Sequence, residues 1–157
     1  MSEPLSRLVE HLVWADGAVI ESLKSQKQLP ARVMEILSHV LAAEQVWISR
    51  VRNDPGGALP VWADLSLADC EALHLENADA FRRLVGAADQ GSLQRIVSYA
   101  NTKGERFEST LQDIILHVST HGSYHRGQIA ALLRAGGGIP VNTDFITYAR
   151  SPGGRKS

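Results

Sequence analysis

His117, His121 and His125 recur at four-residue steps. On a helix, residues four apart project from one face toward a common point, so adjacent members form the minimal clamp for a divalent metal ion. One ion cannot take all three, because His117 and His125 are about 12 Å apart along a helix axis. Leu111, Ile115, Val118, Ile129, Leu132 and Leu133 define the apolar stripe of this segment. At about 100° per residue, His125 lies about 30° from the stripe centre, His121 about 70° and His117 about 110°. The angular order selects His121/His125 as the inward pair.

A third ligand has to come from another segment. His39 is the imidazole candidate, but it lies roughly 130° from the centre of its own stripe, beside Ala43 and Val46. Periodicity places two carboxylates better: Glu44 lies between Val40, Leu41, Trp47 and Ile48, and Asp16 between Leu12, Val13, Val19 and Ile20. Ionisable groups in an apolar interior are costly unless paired, hydrogen-bonded or metal-bound. Asp16 and Glu44 are therefore read either as pocket residues that orient a histidine or as partners of Arg126 or another base, and periodicity leaves the third ligand open.

The remaining candidates carry blander readings. His117 is expected to pack one turn before the site and His74 to be a core or interface histidine, while His11 is read as facing either a pocket mouth or solvent. Arg126 and Gln128 follow His125 and either anchor an anionic substrate or pack between helices. Trp14, Trp47 and Trp62 read as apolar bulk, and Cys70 as a small buried hydrophobe.

Four amphipathic segments position these residues. The first carries Leu5, Leu8, Val9, Leu12, Val19, Ile20 and Leu23 and closes near residue 29. The second opens after Pro30, a favoured first-turn residue, and ends at Asn53-Asp54-Pro55-Gly56-Gly57. The third starts at Ser66, with Asp69 completing a capping box, and runs to about Gly86. The fourth starts at Ser109, with Gln112 at the capping-box position, and stops at glycines 136–138, on the order of 40 Å in length. Residues 95–99 and 105–108 flank Asn101-Thr102-Lys103-Gly104 as two short extended pieces around a turn. Residues 53–62 read as a connection. The expected architecture is an all-α four-helix bundle over residues 1–150, with 151–157 as a disordered tail.

Composition narrows the classes of function. The chain has 157 residues, with 16 basic and 17 acidic side chains and a formal net charge of −1. That balance argues against nucleic-acid binding through a basic surface. A single cysteine excludes an intrachain disulfide framework and fits a reducing compartment. The first residues lack the apolar core of a signal peptide, and no uncharged run approaches the roughly 18 residues of a membrane span. A cytoplasmic protein without membrane or nucleic-acid partners is expected.

The stretch HVSTHGSYHRGQIAALLRAGG (117–137) resembles the most characteristic segment of the DinB family, metal-binding four-helix proteins grouped with bacillithiol and mycothiol S-transferases. The following IPVNTDFITYAR is similar as well, as are LVWADGAVIESL (12–23), HVLAAEQVWISRV (39–51) and VSYANTKGERFESTLQDIILHV (97–118). The resemblance implies an up-down-down-up bundle, commonly dimeric, holding one zinc or nickel ion through His39, His121 and His125. It further implies activation of a low-molecular-weight thiol as a metal-bound thiolate that attacks an electrophile, in detoxification or stress response. The alternatives are a hydrolase using metal-bound hydroxide with Glu44 or Asp16 as base, and a non-catalytic metal- or ligand-binding protein.

Overall fold

Residues 3–26, 28–54, 58–101 and 103–154 are described by a computed structural model. The expected turn residue Thr102, the 55–57 stretch and the last three residues of the expected tail lie outside the described residues. Helix α1 spans Glu3–Lys24, α2 Ala31–Arg52, α3 Leu67–Ala87 and α4 Gln90–Leu93. Strands β1 (Ile96–Ala100) and β2 (Arg106–Thr110) follow, then α5 (Leu111–Ala135) and α6 (Phe145–Arg150). The chain is thus mostly helical, with one two-stranded antiparallel sheet.

Local chemistry sets the boundaries. Helix α1 stops at Lys24, short of residue 29. The Ser22 and Ser25 hydroxyls donate to the carbonyls of Val19 and Ser22, offering the backbone an alternative to the helix. Pro30 precedes α2, and Asn53 ends it in the left-handed conformation (φ 56°), its N–H turned back to the carbonyls of Ser49 and Arg50. Ser66 and Asp69 form the expected capping box of α3. A second box, Asp89 with Ser92, opens α4, which at four residues is too short for a periodic signal. Both strands start one residue later than the sequence suggested, and β2 runs on two residues further, to Thr110. Ser109 stays paired with Val97 in the sheet, so the cap of α5 passes to Thr110, whose Oγ1 accepts from the Asp113 N–H at 3.0 Å. Glycine ends α5: Gly137 takes φ 81° and its N–H bonds the Arg134 carbonyl. The sequence reading missed α6, which packs back on α1.

Helices α1 and α2 each pack against both α3 and α5. Their apolar faces form two clusters. One gathers Val9 and Leu12 of α1, Ile48 of α2, Phe81 of α3 and Ile115 of α5. The other gathers Ile20 of α1, Leu37 of α2, Leu73 of α3 and Ile129 of α5. Helices α1 and α5 therefore run from the first cluster to the second, and α2 and α3 run the opposite way. Buried polar residues lie between the clusters, among them one from each long helix: Asp16, Glu44, Asn77 and Arg126. Among the described residues no helix is long and apolar enough to cross a membrane.

Candidate metal centre

Helix α5 presents two faces at the level of this polar layer. His121 and His125 share one face, and Gly122 and Arg126, one residue further on, share another about 100° around the axis. The histidine face turns toward α2 and meets His39. One ring nitrogen from each of His39, His121 and His125 can be chosen so that all lie within 4.8 Å of one another. Ring centroids are 5.1 Å apart for His39–His121, 4.8 Å for His39–His125 and 4.5 Å for His121–His125. His39 is buried despite lying off its stripe because α2 packs on two neighbours, α3 and α5, which widens its covered face.

Two of the rings are oriented by fixed acceptors. His39 Nδ1–H donates to the Val61 carbonyl at 2.9 Å, and His125 Nδ1–H donates to Gln128 Oε1 at 2.7 Å. The Val61 carbonyl can only accept, which sets the His39 tautomer and leaves its Nε2 lone pair free; the same arrangement at Gln128 frees that of His125. His121 is pushed down to about 4 by burial and then by the nearby His125, His39 and His117. His39 is also lowered, first by burial. Both effects favour the neutral, coordinating form of imidazole. This donor set fits a divalent ion, and all-imidazole coordination suits zinc, nickel, copper or iron without choosing among them. Among the described residues no further histidine, cysteine or carboxylate joins the three.

The loop before α3 completes the surroundings. Trp62 stacks on His39 with centroids 3.9 Å apart and planes 12° from parallel, although its side chain is largely exposed. A cavity of about 330 Å³ reaches His39 and His121 between Trp47, Arg50, Val61 and Trp62. A groove of about 660 Å³ adjoins it, sharing Val46, Arg50, Val61 and Asn101.

On the other side of α5 the polar layer is internally paired. Arg126 Nη1 donates to Asp16 Oδ1 at 2.7 Å and Nη2 donates to Ser123 Oγ at 3.0 Å. Asn77 donates to Glu44 Oε2 at 3.2 Å and to the Leu41 carbonyl at 2.9 Å. Burial, together with the neighbouring Asp16 carboxylate, raises the Glu44 carboxyl well above its ordinary range. Asp16 Oδ2 and Glu44 Oε1 are buried without a hydrogen-bond donor, and a proton held on Glu44 beside Asp16 is what would satisfy both. Gly122 makes room for the arrangement: a Cβ there would stand 2.7 Å from Arg126 Nη1 and 3.0 Å from Leu12 Cδ1.

The sequence candidates thus separate into two groups. His39, His121 and His125 come together, whereas Asp16, Glu44 and Arg126 join each other and line neither the cavity nor the adjoining groove. His117 is exposed, with its ring 5.1 Å from Trp47 and 5.6 Å from His121. His11 donates from Nε2 to the Thr143 carbonyl at 2.7 Å, holding the segment before α6 on α1. His74 is buried against Gly17. Cys70 is fully buried, and burial pushes its thiol up. Trp14 is half-buried near His11 and Tyr148, and Trp47 lies between Tyr99 and His117. Trp62 departs from the expectation of apolar bulk, since it covers a histidine of the triad. Sequence reasoning missed Val61, whose contribution is a backbone carbonyl, and Gly122. The signal for Gly122 was present: a glycine mid-helix between two histidines.

The DinB family model matches residues 1–155. The protein named Protein DinB of Bacillus subtilis (strain 168) is 27% identical over 164 residues, covering 94% of this chain and 95% of its own length.

Proposed function

The chain belongs to the DinB family, and we propose that it is a thiol-dependent S-transferase whose His39, His121 and His125 hold one zinc or nickel ion. The observation that carries this reading is the convergence of three imidazole nitrogens within 4.8 Å at the end of a cavity. When bound, a divalent ion supplies the Lewis acidity that keeps a coordinated thiol deprotonated near neutral pH. The chain's own residues supply the rest. Val61 and Gln128 hold two rings in register, Trp62 shields His39, and the cavity between Trp47 and Val61 admits a small molecule. With three protein ligands, the reading leaves coordination positions for a thiol or water.

Placement of the carboxylates favours thiol transfer over hydrolysis. A hydrolase would draw its base from Asp16 or Glu44, yet Asp16 is engaged by Arg126, and Glu44 is engaged by Asp16 and Asn77. Thiol transfer needs no such base. The same reading takes the four long helices as an up-down-down-up bundle. It has the chain working as a cytoplasmic homodimer in detoxification or stress response, the net charge of −1 opposing self-association little.

The test is a panel of thiols offered with an electrophile to metal-loaded protein, with ester and amide substrates alongside. Metal-dependent consumption of thiol that is lost in the His121→Ala/His125→Ala double variant supports the reading. Ester or amide turnover without thiol consumption overturns it.

A further inference from the structure

Two arginines on the helices that carry the triad differ in their partners. Arg126 has the Asp16 carboxylate, whereas Arg50 on α2, one turn beyond Val46, forms no ion pair among the described residues. The Arg50 guanidinium packs into the corner of two aromatic rings set edge to face, 4.4 Å from the Trp47 centroid and 4.8 Å from that of Tyr99, the two centroids themselves 4.9 Å apart. Its Nη2 donates to the Ala100 carbonyl at 3.3 Å, and the side chain is half-buried. The rings and one carbonyl hold a group with five N–H donors, and Nη2 alone has an acceptor among the described residues. Arg50 also lines both the cavity at His39 and His121 and the groove beyond it. Among the described residues, the charged side chains lining these two spaces are Arg50, Arg106 and a single carboxylate, Asp54.

We infer that Arg50 is a specificity residue that binds a carboxylate or similar anionic group carried by the thiol cosubstrate, whose sulfur lies at the triad. The inference rests on the thiol-transfer reading and adds a substrate class to it: anionic thiols over neutral ones. A guanidinium confined by two rings and a carbonyl has less freedom to lose on binding, and its remaining N–H donors suit bidentate recognition of a carboxylate.

The experiment uses full-length protein loaded with Co²⁺, whose thiolate charge-transfer absorption reports sulfur at the metal directly. A series of mercaptoalkanoates of increasing chain length is titrated against the matching neutral mercaptoalcohols. At the favoured length the wild type should bind the carboxylate member about tenfold tighter or better, and added salt should narrow the gap. Arg50→Met should erase the preference while leaving Co²⁺ stoichiometry and mercaptoalcohol affinity unchanged, and Arg50→Lys should keep part of it. The wild-type comparison decides the matter even if a variant fails to fold. Thiolate bands of equal affinity across the two series overturn this inference alone. The lack of any thiolate band in Co²⁺-loaded protein overturns the thiol-transfer reading and this inference with it.

Discussion

Arg126 donates to Asp16 at 2.7 Å across a contact in which both side chains are 2% exposed or less, one residue along α5 from His125. The ion pair belongs to a layer that crosses the core between two apolar clusters, with one residue from each long helix. It ties α5 to α1 at the level where α5 also meets His39 of α2. A slip of α5 along its axis would break the ion pair and move both histidines together.

Replacing Asp16 with Asn leaves the Arg126 charge buried without a counterion. The expected loss is about 3–5 kcal/mol in denaturant unfolding. Metal stoichiometry should survive under folding conditions, because Asp16 stands outside the triad. A loss under about 1 kcal/mol would show that the pair does not carry the layer.

Glu44 gives the fold a pH dependence of definite sign. Its folded carboxyl titrates well above the ordinary carboxyl value of about 4.5 because burial and Asp16 disfavour the charge. Its contribution is fully present below about 4.5 and is lost as pH rises from there toward the raised folded value. Glu44→Gln keeps the neutral shape, with an amide to donate to Asp16 and an oxygen to accept from Asn77. The variant should show a flatter stability profile above pH 5, and its thermal midpoint near pH 8 should rise by roughly 3 °C for each kcal/mol relieved. A variant that unfolds earlier than wild type at that pH contradicts the shared proton.

Gly122→Ala tests the close approach of α1 and α5. Its Cβ would stand 2.7 Å from Arg126 Nη1, a buried group already committed to Asp16. Despite the higher helix propensity of alanine, the substitution should cost about 1–3 kcal/mol. A thermal midpoint equal to or above wild type would show that the guanidinium shifts freely.

Gln128→Leu removes the acceptor of His125 Nδ1–H and frees the ring to rotate. Metal affinity, measured by competition with a chelator, should weaken by about 10–100-fold, with little change in apo-protein stability. Unchanged affinity would mean that packing alone orients His125.

Much of this arrangement is legible in the residues themselves. The helical period and the signals at Pro30, Asn53, Ser66 and Gly137 mark the long helices, and the angular order on α5 separates His121 and His125 from His117. His39 is not legible from period, because a stripe computed for one helix cannot register burial by two neighbours. The carboxylates mislead in a related way: period places Asp16 and Glu44 inward but does not say which inward direction. On α5 a single residue step separates the metal face from the core face. The roles of Trp62 and Val61 come from the path of the loop before α3, which carries no periodic signal. The start of α5 shifted because Ser109 serves the sheet, a tertiary demand that overrides a local cap.

Metal stoichiometry across histidine variants is the most direct test. Elemental analysis of purified protein, reconstituted with zinc or nickel and freed of excess ion, should give one ion per chain for wild type and His117→Ala. His39→Ala, His121→Ala and His125→Ala should each lose stoichiometric binding, because each supplies one of three nitrogens that meet within 4.8 Å. Full occupancy in the His121 and His125 variants would contradict a single ion held by this triad.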